Sequence, residues 1–366
     1  MSRGTFGNVP ERRCLKPTDW PAEDRRRWAA ALQPGDIFDQ AGTRSHLAAI
    51  SNIKAEKGYG RWLTFLRHSG YDLQVAPELR ITAAVVGAYI VQLRKLDNGT
   101  YTQIARLQEL YEAASVMDPR QDWEWIRGIA SRIRAQHKPV RDKRGRLVGS
   151  DDLFNLGVAL MASAETQATE RAAATTYRDG LLCAFLALRP LRRKNLAALR
   201  LGEHIVRVGD GWMISIPGEE TKTGTPIDMP WPESLVDKLE HYVAVHRAVL
   251  CAQNGRWQEA VGNALWVSAD SSPLTQQSVY DRIVERTRTA FGTAVSPHLF
   301  RDCAATALAV EDPLQIRIAA PILGHRTFAT TEKYYVKARM VEAVRQFQQN
   351  VISLRQGISD QTKVSE

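Results

Sequence analysis

Apolar positions along this chain fall into two stretches of different texture. Over 46–68 they are Leu47, Ile50, Ile53, Trp62, Phe65 and Leu66, a helical spacing that Gly70 stops. Residues 81–96 are nearly all apolar on one side, and 102–116 and 123–133 repeat the pattern. Asn98-Gly99 and Asp118-Pro119 punctuate the runs. The spacing predicts a helical unit of about four or five helices. From 150 onward the texture is mixed. Helices are predicted over 151–164 and 171–188. Apolar-rich runs on either side of Gly209-Asp210-Gly211 predict a hairpin over 205–216, with a third strand at 225–229. Further helices are predicted over 233–251, 276–290, 297–310 and 313–323. In the tail, Met340, Val344, Phe347, Val351 and Leu354 fall at helix-like spacing and give one apolar stripe. The fold class is therefore mainly α with a small antiparallel β-sheet (α+β).

Organisation follows from the same pass. Residues 1–43 read as an irregular N-terminal arm, punctuated by Pro21 and Pro34, with basic clusters at Arg12-Arg13 and Arg25-Arg26-Arg27. Residues 44–136 form the helical domain. Residues 137–149 are a linker containing Pro139, Gly145 and five Lys/Arg between Lys138 and Arg146. Residues 150–340 form the larger mixed domain, and 341–366 a C-terminal helix or tail.

Charge changes the picture more than composition does. The 366 residues carry a formal net charge of +9, with a pI near 9.5. That balance favours a polyanionic partner, because neutralising phosphates releases counterions, although solubility alone also explains it. The arm is then either a DNA-contacting segment or a solvated tail. The four cysteines, Cys14, Cys183, Cys251 and Cys303, are scattered and form no CxxC pair, so reduced structural thiols are expected. No apolar run has the length of a membrane span, and no leader pattern opens the chain. The expectation is a soluble cytoplasmic protein with no membrane contact, associated with the nucleoid where the polyanionic partner is DNA.

The chemistry concentrates in the last quarter. His298-Leu299-Phe300-Arg301 is followed by Leu323-Gly324-His325 and then by Thr330-Thr331-Glu332-Lys333-Tyr334-Tyr335. A His and an Arg three apart share one helical face. A second His and then a tyrosine nine residues beyond it complete a set able to handle a phosphodiester without a metal.

Taken together, these motifs make the chain resemble the tyrosine recombinases of the phage-integrase family. The likeness covers about 150–340 well and the helical unit before it more loosely. The family pattern runs Arg, Lys, His-x-x-Arg, His or Trp, Tyr. The resemblance makes Arg192 the first phosphate clamp, because Leu196 and Leu199 follow it four and seven residues later, which favours it over Arg189 and Arg193. It makes Lys222, in Gly218-Glu219-Glu220-Thr221-Lys222-Thr223-Gly224, the acid for the departing 5′ oxygen. Arg301 becomes the second clamp. His298 accepts the nucleophile's proton or holds a phosphate oxygen, and His325 donates to a non-bridging oxygen. Tyr334 becomes the nucleophile that forms a 3′-phosphotyrosyl bond; its spacing from His325 favours it over Tyr335. Two positions depart from the pattern: Asn195 stands where an acidic residue is usual, and Asp302 where His is frequent.

The resemblance implies a helical, SAM-like core-binding domain, a catalytic domain and a C-shaped clamp on double-stranded DNA. It further implies a homotetramer on two DNA sites, from a monomer or dimer off DNA, with strand exchange through a Holliday junction and no cofactor or metal. The tail stripe then either docks on a neighbouring protomer or packs on its own domain. The protein is expected to be the integrase, excisionase or resolvase of a mobile element. Two rival readings are a DNA-binding regulator that no longer cuts and a type IB topoisomerase acting as a monomer.

Overall fold

The computed structural model describes residues 9–35, 41–47, 49–137, 146–252 and 261–311, with side chains to 306. The helix predicted over 313–323, the apolar stripe of the tail and most of the basic linker lie outside the described residues. The chain divides into two compact units, Met1–Arg141 and Asp142–Glu366. No helix among the described residues is long and apolar enough to cross a membrane.

The first unit is helical: α1 (Ala22–Leu32), α2 (Ala49–His68), the single turn α3 (Pro77–Arg80), α4 (Ala83–Lys95), α5 (Thr100–Met117) and α6 (Glu124–Ala135). Its core joins Trp62, Leu63 and Leu66 of α2 to Tyr89 of α4, Leu107 and Leu110 of α5, and Ile126 of α6. Trp62 meets Tyr89 edge-on at 5.2 Å between ring centroids. Thr82 caps α4 by accepting from the Val85 amide at 3.3 Å.

Helix α1 lies in the stretch read as irregular, and this corrects that reading. Its apolar contribution rests on few residues, chiefly Trp28 and Ala31, with Trp20 and Leu15 just ahead of the helix, and all four are buried. Trp20 stands edge-on to both Trp28 and Tyr59, at 5.7 and 5.1 Å. The basic triplet conceals this in the sequence. Arg26 and Arg27 pair with Glu23, and Arg27 also reaches Glu78 at 2.8 Å.

The second unit contains α7 (Ser150–Ser163), α8 (Glu170–Leu188), α9 (Arg193–Ala197), β1 (Ile205–Val208), β2 (Gly211–Ile216), β3 (Ile227–Pro230), α10 (Val236–His241), α11 (Arg247–Ala252), α12 (Gln276–Phe291) and α13 (Pro297–Glu311). The strands form one antiparallel sheet in the order β1-β2-β3, with Ile205 opposite Ile214 and Ile214 opposite Met229. Gly209 makes the hairpin turn at φ 59°, where a side chain would be strained. The helix predicted over 233–251 is interrupted by a π-turn at Tyr242–His246, between α10 and α11.

Helix α8 is the axis of this unit, buried along most of its length. It crosses α7 where two glycines meet. A Cβ on Gly157 would lie 2.6 Å from the Gly180 carbonyl oxygen, and a Cβ on Gly180 would lie 2.6 Å from that of Gly157. The bare backbones let the helices approach closely, and Phe185 further along α8 stacks on Trp231 at 4.4 Å. Thus α8, packed along most of its length, leads the chain to the segment where the candidate chemistry begins.

Candidate active site

Arg192 sits four residues beyond the end of α8, as the N-cap of α9, in extended conformation at φ −65° and ψ 141°. Its carbonyl accepts from the Leu196 amide at 2.9 Å. Leu196 and Leu199 are both buried, so the apolar register anchors this turn from beneath. The two arginines that compete for the same role have partners of their own. Arg189 donates to the Leu188 carbonyl at 3.1 Å, and burial pulls its pKa down. The Arg193 guanidinium lies over the Tyr280 ring of α12, 5.6 Å from its centroid.

His298 and Arg301 occupy the first turns of α13. Pro297, Leu299 and Phe300 are buried, while His298 is exposed. Arg301 is buried, and its Nη1 donates to the Pro190 carbonyl. That bond ties α13 to the segment two residues before Arg192, and so brings both proposed clamp arginines onto neighbouring pieces of chain.

Lys222 is exposed in the loop between β2 and β3. The loop is shaped locally. The Thr221 hydroxyl lies 2.9 Å from the carbonyl oxygens of both Gly218 and Thr225, and Gly224 takes φ 72°. Lys194 Nζ of α9 donates to the Glu220 carbonyl at 3.1 Å, linking this loop to the helix that Arg192 caps.

Four of the six predicted site residues are therefore described, and His325 and Tyr334, with the neighbouring Tyr335, lie outside the described residues. Asn195 of α9, at the usual acidic position, is buried, and so is Asp302 of α13. The sequence reading missed three groups around Lys222: Lys194, Glu220 and His204. Lys194 is hidden in a row of cations, and His204 precedes a strand with no motif around it. His204 Nε2 lies 3.3 Å from a Glu220 carboxylate oxygen and 3.8 Å from one of Glu203. Glu203, His204 and Glu220 form the one cluster with metal-ligand spacing among the described residues. Glu203 is already held by Arg200 at 3.1 Å and by Asn263, which depress its pKa.

A profile of the phage integrase family matches residues 158–341, which spans Arg192, Lys222, the His298–Arg301 pair, His325 and Tyr334. The chain belongs to the phage integrase family. No curated protein matches it. Among solved structures it is similar to the XerH site-specific recombinase bound to palindromic difH substrate in a post-cleavage complex. That likeness has a TM-score of 0.54 at 14% identity, covering 84% of this chain and 82% of that one. It is also similar to the Tn1549 transposon integrase in complex with transposon right end DNA, with a TM-score of 0.54 at 15% identity over 88% of this chain and 98% of that one. The same integrase with circular intermediate DNA gives 0.50 at 13% identity, over 87% and 98%. At such identities the likeness carries the fold. By family and fold this integrase is a tyrosine recombinase, mainly α with a small antiparallel sheet.

Proposed function

We propose that this integrase cleaves and rejoins double-stranded DNA at a specific site through a 3′-phosphotyrosyl intermediate, as the recombinase of a mobile element. The observation that carries the reading is the bond from Arg301 to the Pro190 carbonyl, which gathers the two arginines of the family pattern onto adjoining segments. Their planar guanidiniums suit two phosphate oxygens, and a net charge of +9 suits the backbone of a duplex. The structures it resembles include recombinases bound to DNA.

In this reading Tyr334 Oη attacks the scissile phosphorus and its proton passes to His298. The new bond is Oη–P, and the bond that breaks is P–O5′. Lys222 gives its proton to the departing O5′, while Arg192, Arg301 and His325 hold the charge that builds on the non-bridging oxygens. Rejoining reverses each transfer: a 5′-hydroxyl attacks, its proton returns to the lysine, and the phenolate regains its own. The ester conserves the energy of the bond, so the cycle balances without an added reactant. Four protomers on two duplexes would carry the exchange, in the cytoplasm where the DNA lies.

The test is trapping of the covalent adduct. Nicked duplexes tiled from DNA flanking the gene are mixed with the protein and resolved on a denaturing gel. A protease-sensitive shifted band, lost in Tyr334→Phe and kept in Tyr335→Phe, is expected. Loss in Tyr335→Phe alone would move the nucleophile by one residue. Tight binding with no adduct would favour a DNA-binding protein that does not cut, and relaxation of plasmids without site preference would favour a topoisomerase.

A further inference from the structure

Glu220 is held at both ends. Its carbonyl accepts from Lys194 Nζ, and its carboxylate faces His204 Nε2 at 3.3 Å. Lys194 lies two residues after Arg192 on α9. His204 lies just before β1 and is only 2% exposed, with its carbonyl accepting from the Ser215 amide of β2 at 2.8 Å. Glu220 closes the short turn Gly218–Glu220, directly ahead of Thr221 and Lys222. A buried imidazole must use its polarity or lose solvation for nothing. His204 Nδ1 is buried with no hydrogen-bond partner among the described residues, so the polarity of this ring is directed through Nε2 at the carboxylates. Of the two, Glu220 is nearer, and Glu203 is already occupied by Arg200.

We propose that His204 and Glu220 are positioning residues for Lys222. They pin the β2–β3 loop to the corner between α9 and β1, so that the clamp at Arg192 and the acid at Lys222 are set by one body. Neither side chain needs to touch DNA for this. The inference rests on the reading of Lys222 as the acid for the departing oxygen.

The experiment uses the flanking duplex on which the wild-type chain forms its adduct, prepared with either oxygen or sulfur at the bridging 5′ position of the scissile phosphate. Sulfur needs no proton from Lys222 to leave, since a thiol ionises near 8.5 against about 15.7 for water. Misplacement of a reacting group by about 1 Å costs on the order of a hundredfold. His204→Leu and Glu220→Ala are therefore expected to slow cleavage of the oxygen substrate by about 10- to 100-fold. Both should leave the sulfur substrate near the wild-type rate. His204→Gln keeps a donor near the Nε2 position and should recover most of the loss. Lys222→Ala should show the same sulfur rescue from a deeper deficit, about 100- to 10,000-fold. Equal losses on both substrates would show that the pair serves the fold alone, and unchanged rates on both would show that it serves nothing at Lys222. Either result overturns the inference while wild-type cleavage stands. Failure of the wild type to form an adduct on any flanking duplex would instead overturn the recombinase reading itself.

Discussion

Each unit buries an ionic cluster, and the two are built to opposite plans. In the first, Asp24 of α1 takes both its oxygens to Arg80 Nη2, at 2.8 and 2.6 Å, and accepts from the Tyr59 hydroxyl at 2.7 Å. One anion meets one cation, but Arg80 Nε and Nη1 are left without partners among the described residues. In the second, Asp179 of α8 sits between two guanidiniums, Arg178 at 2.6 Å and Arg286 at 3.0 Å. Arg178 is 2% exposed and also donates to the Val267 carbonyl at 2.7 Å. The first cluster staples a terminal helix to its unit. The second fixes the central helix to α12 and to the segment at Val267, and its partly buried Arg286 leads the surplus charge toward solvent. A carboxylate matched one-to-one with a guanidinium can be replaced with it as a set, whereas one shared by two guanidiniums cannot.

Removing Asp179 should have the largest effect, because it strands a buried guanidinium beside a second one. Asp179→Leu is expected to cost about 3–5 kcal/mol, read by chemical denaturation of the second unit's transition. A loss under about 1 kcal/mol would show that Asp179 is not what balances Arg178. Asp24→Leu should cost a similar or slightly smaller amount by stranding Arg80. The triple replacement Asp24→Leu, Tyr59→Phe, Arg80→Met should return to within about 1 kcal/mol of wild type, since apolar groups of similar volume replace a buried pair at little cost. If the triple stays as unstable as the single, the distinction between the clusters fails.

The smallest effect per residue is alkaline. Burial holds the phenols of Tyr177 and Tyr242 at about 12 in the second unit. In the first unit burial raises Tyr89 further, and burial, reinforced by the Asp24 charge, raises Tyr59 well above the usual phenol value. An unfolded tyrosine ionises near 10, so above about pH 10 the unfolded chain sheds protons that the native chain keeps. Stability is then intact below about pH 10 and falls as the pH rises toward the folded values. Thermal melts through that range should show the first unit's transition falling more steeply than the second's. A first unit that melts in parallel with the second would mean that its buried phenols are held no higher than those of the second.

Most helices were legible because their cores face one way: the apolar spacing over 171–188 corresponds to α8, and the runs around Gly209 correspond to β1 and β2. The Arg192 turn was legible through Leu196 and Leu199, which are buried beneath it. Failures came where polarity and burial part company. Helix α1 announces itself with arginines while its Asp24 and Trp28 go inside. The π-turn at Tyr242–His246 leaves an apolar pattern that reads as one continuous helix. Arg178 and Asp179 carry no motif of their own, and the groups that engage them, Val267 and Arg286, come from distant sequence. The groups around Lys222 were invisible for the same reason, since Glu220 matters through its carbonyl to Lys194 as much as through its carboxylate.

The crossing of α7 and α8 has a consequence for how this chain can diverge. At most packed positions a larger residue is tolerated when its neighbour shrinks, so two changes succeed where one fails. At Gly157 and Gly180 each absent Cβ would strike the other helix's backbone, and no neighbouring substitution can make a backbone smaller. Descent therefore has no compensated route through this pair. Sequences derived from this one are free to drift around the crossing, but only by keeping both glycines or by moving the two helices apart.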